Sequence, residues 1–253
     1  MKTYILIFTF IGLIFNAFSQ TTITYDQRAL EAGDQNTFQA IEYVLPGGSG
    51  PNQIWDFSKI QYTGEIDEGS LNTTPSKTPA RIGQFNMVVT EKDKEYYYNL
   101  TTTTLEELGY LSEEYDLVYT DPVLKMVYPF SFGDEFTDQW AGNAVFKGVT
   151  NIDLTGDYTV TADAFGTLIL PDRVLKNTLR VRSEKTGIEV NMCSSIEVSI
   201  IRYFWYAPGY RYPVLYTSVR EYTATGKDPV VEKTSGINLQ QSLEILADGE
   251  ENQ

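Results

Sequence analysis

Residues 196–222, IEVSIIRYFWYAPGYRYPVLYTSVREY, decide how this chain is read. Ile196, Val198 and Ile200 alternate with Glu197 and Ser199. Alternation with period two is the mark of a strand with one apolar and one polar face. The run ends at Ala207-Pro208-Gly209, and a second long β-prone run leads away from it. Pro followed by Gly suits the central positions of a type II turn, where Gly takes the positive φ. The reading is a long hairpin, with Trp205 and Tyr206 on one arm and Tyr210 and Tyr212 on the other.

Upstream, the same signal recurs. Leu179 and Val181 read as inward, Arg180 and Arg182 as solvent-facing. Tyr158, Val160, Ala162 and Ala164 share one face of a strand, and Gly166 after them suggests a bulge or bend. Residues 85–90 and 96–100 flank the charged turn Glu91-Lys92-Asp93-Lys94 as a hairpin. Residues 117–120 and 123–132 read as two short strands divided by Asp121-Pro122. In residues 53–60, QIWDFSKI, Trp55 and Phe57 fall on one face.

Helical signals are few. Asp26 to Ala32 has room for two turns. Leu105, Leu108, Leu111 and Tyr115 have roughly helical spacing, broken by Gly109. The expected fold is all-β: a single large antiparallel domain over residues 20–236, built as a curved sheet, a half-barrel or a two-sheet sandwich. Residues 237–253 are expected to be a short helix or an acidic tail.

The first nineteen residues read as a signal peptide. Lys2 precedes an apolar run from Tyr4 to Phe15, and Ala17-Phe18-Ser19 places small residues where a signal peptidase needs them. The run is shorter than the ~20 residues of a spanning helix. No later stretch is long and apolar enough to span, and no Cys stands at the cleavage point. The expectation is an exported chain, periplasmic or extracellular.

Composition narrows the chemistry. Of 253 residues, 34 are acidic and 19 basic, for a net charge of −15 at pH 7. Such a surface repels nucleic acid. The chain has no histidine, which excludes Ser-His-Asp and Cys-His nucleophile systems and histidine-ligated metals. Its one cysteine, Cys193, cannot close an internal disulfide, and is expected to be a small buried hydrophobe in or beside a strand.

Three groups could carry function. Trp205, Tyr206, Tyr210 and Tyr212 crowd one hairpin, as in a stacking surface for a sugar or a wet protein interface. Asp134, Glu135 and Asp138 fall within one short stretch, and paired carboxylates serve glycoside hydrolysis. Asn151, Asp153, Thr155 and Asp157, with Gly156, echo the start of a calcium loop but lack its closing Glu.

QIWDFSKI after a Gly-rich loop, VYPFSFGDEFTDQWAG, ADAFGTLILP followed by NTLRVRS, and RYFWYAPGYRYPVL occur in this order. The set, from Leu45 to Tyr222, resembles exported β-rich proteins of Bacteroidetes that often end in a type IX secretion sorting domain. The resemblance implies lineage and export and carries over no catalytic residue. The residues after Tyr222 are too few for that immunoglobulin-like domain.

The function expected is therefore a non-enzymatic binding or structural protein of the cell envelope. Its candidate ligand residues are Trp205, Tyr206, Tyr210 and Tyr212; its candidate partners are a glycan, an apolar, lipid-like ligand or another envelope protein. No cofactor, catalytic residue or metal ligand is assigned. The rivals are a carboxylate-dependent polysaccharide hydrolase and a calcium-stabilised adhesion module.

Overall fold

A computed structural model describes residues 21–76 and 79–239. The signal-peptide reading and most of the C-terminal segment lie outside the described residues.

Among the described residues the chain is mostly β, with very little helix. One short helix, α1 (Tyr25–Arg28), precedes thirteen strands. They are β1 (Gln35–Ile41), β2 (Gly50–Asp56), β3 (Tyr62–Asn72), β4 (Met87–Glu91), β5 (Lys94–Leu100), β6 (Thr104–Leu111), β7 (Tyr115–Val127), β8 (Glu135–Phe146), β9 (Thr150–Ile169), β10 (Val174–Val190), β11 (Ser195–Tyr206), β12 (Leu215–Ala224) and β13 (Val230–Asn238). All except β2 form one antiparallel sheet in the order β10-β11-β12-β13-β1-β3-β4-β5-β6-β7-β8-β9. Pairing of β9 with β10 joins its two ends. The expected single antiparallel domain is present, and its curvature runs to full closure: a twelve-stranded barrel with no free edge.

The hairpin expected around Pro208-Gly209 is present, with one change. Gly209 has φ +78° and the Tyr210 amide donates to the Ala207 carbonyl, as a type II turn requires. The second strand, however, does not begin until Leu215. Tyr210 and Tyr212 therefore sit in an eight-residue loop, 207–214, and not on a strand arm. The turn at Lys92-Asp93 is as expected.

Other expectations change for local reasons. Asp121-Pro122 bends β7 without ending it, and the register with β8 shifts there. Residues 104–111 are strand, because pairing to β5 and β7 overrides their helical spacing. Residues 26–32 yield only the single turn of α1. Ile237 and Asn238 end β13. Gly166 marks a close approach: a Cβ there would lie 1.9 Å from the Gln53 carbonyl oxygen, where β2 runs parallel to β9. Cys193 is exposed in the turn between β10 and β11, because that turn projects from the rim of the barrel.

The alternation places apolar residues inside and polar residues outside. On β8, Trp140 and Ala144 are buried in the core while Glu135, Thr137 and Gln139 face out and are exposed. On β9, Leu154, Tyr158, Val160 and Ala162 point in, and Asn151, Asp153, Thr155 and Asp157 point out. This polar outer wall is the reverse of a lipid-facing barrel, whose apolar band faces outward. Among the described residues, no helix is long and apolar enough to cross a membrane.

The two ends of the barrel differ. Residues 21–34 fold across one end. Ile23 bridges to Phe130 within the inner core, the Arg28 guanidinium donates to the Ala207 carbonyl at 2.6 Å, and Arg211 pairs with Glu31 at 2.5 Å. The Tyr212 hydroxyl donates to Asp34 at 2.7 Å. The opposite rim is formed, among the described residues, by turns between strands, with Met192 and Val149 fully or largely exposed.

Candidate functional site: the barrel interior

A barrel of about eight strands is filled by its own side chains, and one of sixteen or more encloses water. Twelve strands lie between. The inward face of β11 shows the consequence: Val198, Ile200, Arg202, Phe204 and Tyr206 all point inward, yet none is fully buried. The same holds for Tyr96 and Tyr98 on β5 and for Lys185 and Glu189 on β10. Inward side chains that keep accessible surface border internal space, here called the lumen.

The lumen wall carries charge. Lys125 of β7 pairs with Glu107 of β6 at 3.3 Å, with side chains only 18% and 10% exposed. Lys125 also lies 4.7 Å from the centre of the Tyr158 ring. The Lys185 amine donates to the Tyr119 hydroxyl at 2.6 Å and sits 4.1 Å from the Trp140 ring. That ring rests on two glycines. A Cβ on Gly156 or Gly187 would come within 2.7 or 2.6 Å of it, so these positions keep the platform beneath Lys185 open.

Burial alone would raise the Glu107 carboxyl, but Lys125, Lys185 and Arg202 outweigh it and hold the group below its ordinary value. Burial lowers Lys125, and Tyr158 and Glu107 more than reverse this. Lys185 is different. Burial, with repulsion from Lys125 and Arg202 against the pull of Glu107, brings its amine down to about 8. Burial raises Glu189 and Glu91. Mid-barrel, three cations thus face one firmly ionised carboxylate, inside a chain whose net charge is −15.

A second set of polar groups lies beside this one, on the inward face of β11 and β12. Arg202 stands opposite Ser218, and Arg220 opposite Ile200. The Ser218 hydroxyl and the Arg220 Nε are buried with no hydrogen-bond partner. Among the described residues, Arg202 makes no ion pair or hydrogen bond.

The four aromatic candidates separate into three surroundings. Trp205 is fully buried on the outer face of the barrel wall, beneath β2, with Trp55 and Phe57 edge-on to it at 5.9 and 6.0 Å. Tyr206 points into the lumen near its closed end, 5.9 Å from the Arg28 guanidinium. Tyr210 packs with the Trp205 cluster, and Tyr212 with Leu71, Met87 and Val89 in the inner core. They do not share one surface.

The acidic stretch is dispersed too. Asp134 accepts from the Ser131 amide, Glu135 from the Thr161 hydroxyl on the outer wall, and Asp138 from the Leu124 amide. Residues 151–157 are an extended part of β9 and do not wrap around a point. Among the described residues, no group of three or more acids or cysteines could hold a metal ion.

The lumen cations were missed in sequence although the signal was present. Lys185 continues the inward phase of Leu179, Val181 and Ser183; Arg202 continues that of Ile196, Val198 and Ile200. A charge in the apolar phase of a strand marks a polar interior. Compared with known protein families, with curated proteins and with solved structures, the chain matches none.

Proposed function

We propose that this is a non-enzymatic binding protein, exported to the cell envelope or beyond, that holds a small ligand in its barrel. One observation carries the proposal: inward side chains around a twelve-stranded barrel retain accessible surface, with one end covered by residues 21–34 and the other rimmed by turns. Internal space lined by aromatic and aliphatic groups with a few placed polar ones is the usual form of a ligand site. The lumen therefore supports an apolar or amphipathic ligand better than an extended glycan chain.

Tryptophan fluorescence tests this, because Trp140 lines the lumen while Trp55 and Trp205 pack outside it. Titration with a panel of amphiphiles and short glycans is expected to change emission for a subset, and Trp140→Phe is expected to abolish most of that change. A panel without saturable binding contradicts the proposal. Export is tested separately, by whether the chain made in a bacterial host loses residues 1–19.

A further inference from the structure

The inward face of β11 and β12 offers hydrogen-bond donors without acceptors. Arg202 and Arg220 lie diagonally across the strand pair, with Ser218 beside them. Arginine cannot shed its proton. A buried donor left unsatisfied costs free energy, most of all when it is charged. Of this set the Ser218 hydroxyl and the Arg220 Nε are buried without a partner. Native interiors satisfy nearly all such groups, so these call for an explanation.

Neighbouring acids do not supply it. Glu91, Asp67 and Glu107 lie near enough to influence the site. Asp67 is engaged by Lys92 of the β4–β5 turn at 2.5 Å and Glu107 by Lys125 at 3.3 Å, and none of the three forms an ion pair with Arg202 or Arg220 among the described residues. Tyr96, Tyr98 and Tyr216 stand around the same space and add hydroxyls. Towards the rim the wall turns apolar, through Ile200, Val198 and Ile196.

We propose that the lumen binds an amphipathic anion, its carboxylate or phosphate seated on Arg202, Arg220 and Ser218 and its apolar part directed to the rim. This deepens the binding function proposed above and rests on it. Two planar guanidiniums and a hydroxyl match an oxyanion, which takes several hydrogen bonds at once. The net negative outer surface leaves this inward site as the place where an anion is favoured. An amphiphile with one anionic head satisfies both the donors and the apolar wall above them.

Isothermal titration of the full chain at fixed ionic strength tests it with three probes: dodecanoate, dodecyl phosphate and uncharged dodecanol. The two anions are expected to bind, and dodecanol about tenfold or more weakly. Arg202→Met and Arg220→Met should each weaken dodecanoate binding about tenfold while leaving dodecanol binding unchanged. Arg182→Met, which removes the same charge from the outer face of β10, should leave both unchanged. Circular dichroism of each variant confirms that it is folded, and Arg202→Lys provides a milder change at the same place. Equal affinity for dodecanoate and dodecanol, or unaltered dodecanoate binding in both inner arginine variants, overturns the anionic headgroup and leaves the lumen site intact. Absence of binding by any probe overturns both.

Discussion

Two arginine sites face each other across the same stretch of barrel wall, and they are built in opposite ways. Arg180 of β10 is on the outer face, only 1% exposed, and fully engaged. Its Nε and Nη2 bond both oxygens of Asp163 at 2.9 and 2.8 Å, Nη1 donates to the Pro46 carbonyl, and Trp55, Tyr203 and Trp205 surround the guanidinium. Arg202 and Arg220 are on the inner face, with no such partners. The outer arginine fastens residues 42–61 to the wall; its chemistry is complete within the chain. The inner pair has donors to spare. The two sites thus differ in satisfaction as well as in burial: Arg180 is buried and fully bonded, while Arg202 and Arg220 are half-buried and form no ion pair among the described residues.

The largest expected effect is at the outer site. Arg180→Met leaves Asp163 without its cation beneath β2, and loss of one partner of a buried pair costs about 3–5 kcal/mol. For a chain of this size that is a fall of about 6 °C or more in Tm, read by calorimetry. Arg202→Met and Arg220→Met remove unpaired charge, so stability is expected to stay within about 1 kcal/mol of the parent or to rise. If the inner variants lose as much stability as the outer one, the inner arginines are structural and the distinction fails.

Next in size is the platform beneath Lys185. Gly187→Ala would place a methyl 2.6 Å from the Trp140 ring and 2.7 Å from the Thr155 carbonyl. Overpacking of this kind costs about 1–3 kcal/mol, and urea midpoints should record it together with altered Trp140 emission.

Lys185 supplies a smaller, pH-dependent effect. Its folded pKa, about 8, lies below its ordinary 10.5. Below pH 8 the amine is charged in both states, and burial makes the folded charge costly. Between about 8 and 10.5 the unfolded chain binds more protons than the folded one, so the Lys185 contribution to stability rises with pH. The tyrosines raised by burial, Tyr98 and Tyr119 among them, act oppositely above pH 10. The difference between parent and Lys185→Met, followed by chemical denaturation from pH 7 to 10, isolates the lysine and is expected to grow in the parent's favour. A flat difference contradicts the assigned environment.

The smallest effect concerns Cys193. Exposed in its turn, it should react fully with a thiol reagent in the native protein, and Cys193→Ser should alter stability by less than about 0.5 kcal/mol.

How much of this was legible depends on the range of the interaction. The Pro208-Gly209 turn, the Lys92-Asp93 hairpin and the inward face of Tyr158, Val160 and Ala162 are encoded within a few residues and were readable. Ala164 was expected on that same face, but a register shift against β10 between Arg180 and Arg182 turns it to the outer cluster with Trp55 and Trp205. Closure was not: β9 and β10 are consecutive and meet across a short turn, but β1 must meet β13, which joins residues two hundred positions apart. Arg180 was expected to face solvent; it does stand on the outer face, but it is only 1% exposed. Its burial depends on residues 42–61 folding over it, for which no local pattern speaks. The same cover takes Trp205 out of solvent. Tyr206, by alternation, is sent to the other side of the wall. The lumen site was half legible: Lys185 and Arg202 stand in apolar phase, but their convergence with Glu107 and Lys125 needs the closed ring.

Whether the inner arginines await an anion is decided by a crystal structure of the protein grown with dodecanoate. The carboxylate is expected about 3 Å from the guanidiniums of Arg202 and Arg220, with the alkyl chain running past Ile200, Val198 and Ile196 towards the rim. A structure in which both arginines pair with Glu91 or Asp67, and dodecanoate lies outside the barrel or is absent, would contradict it.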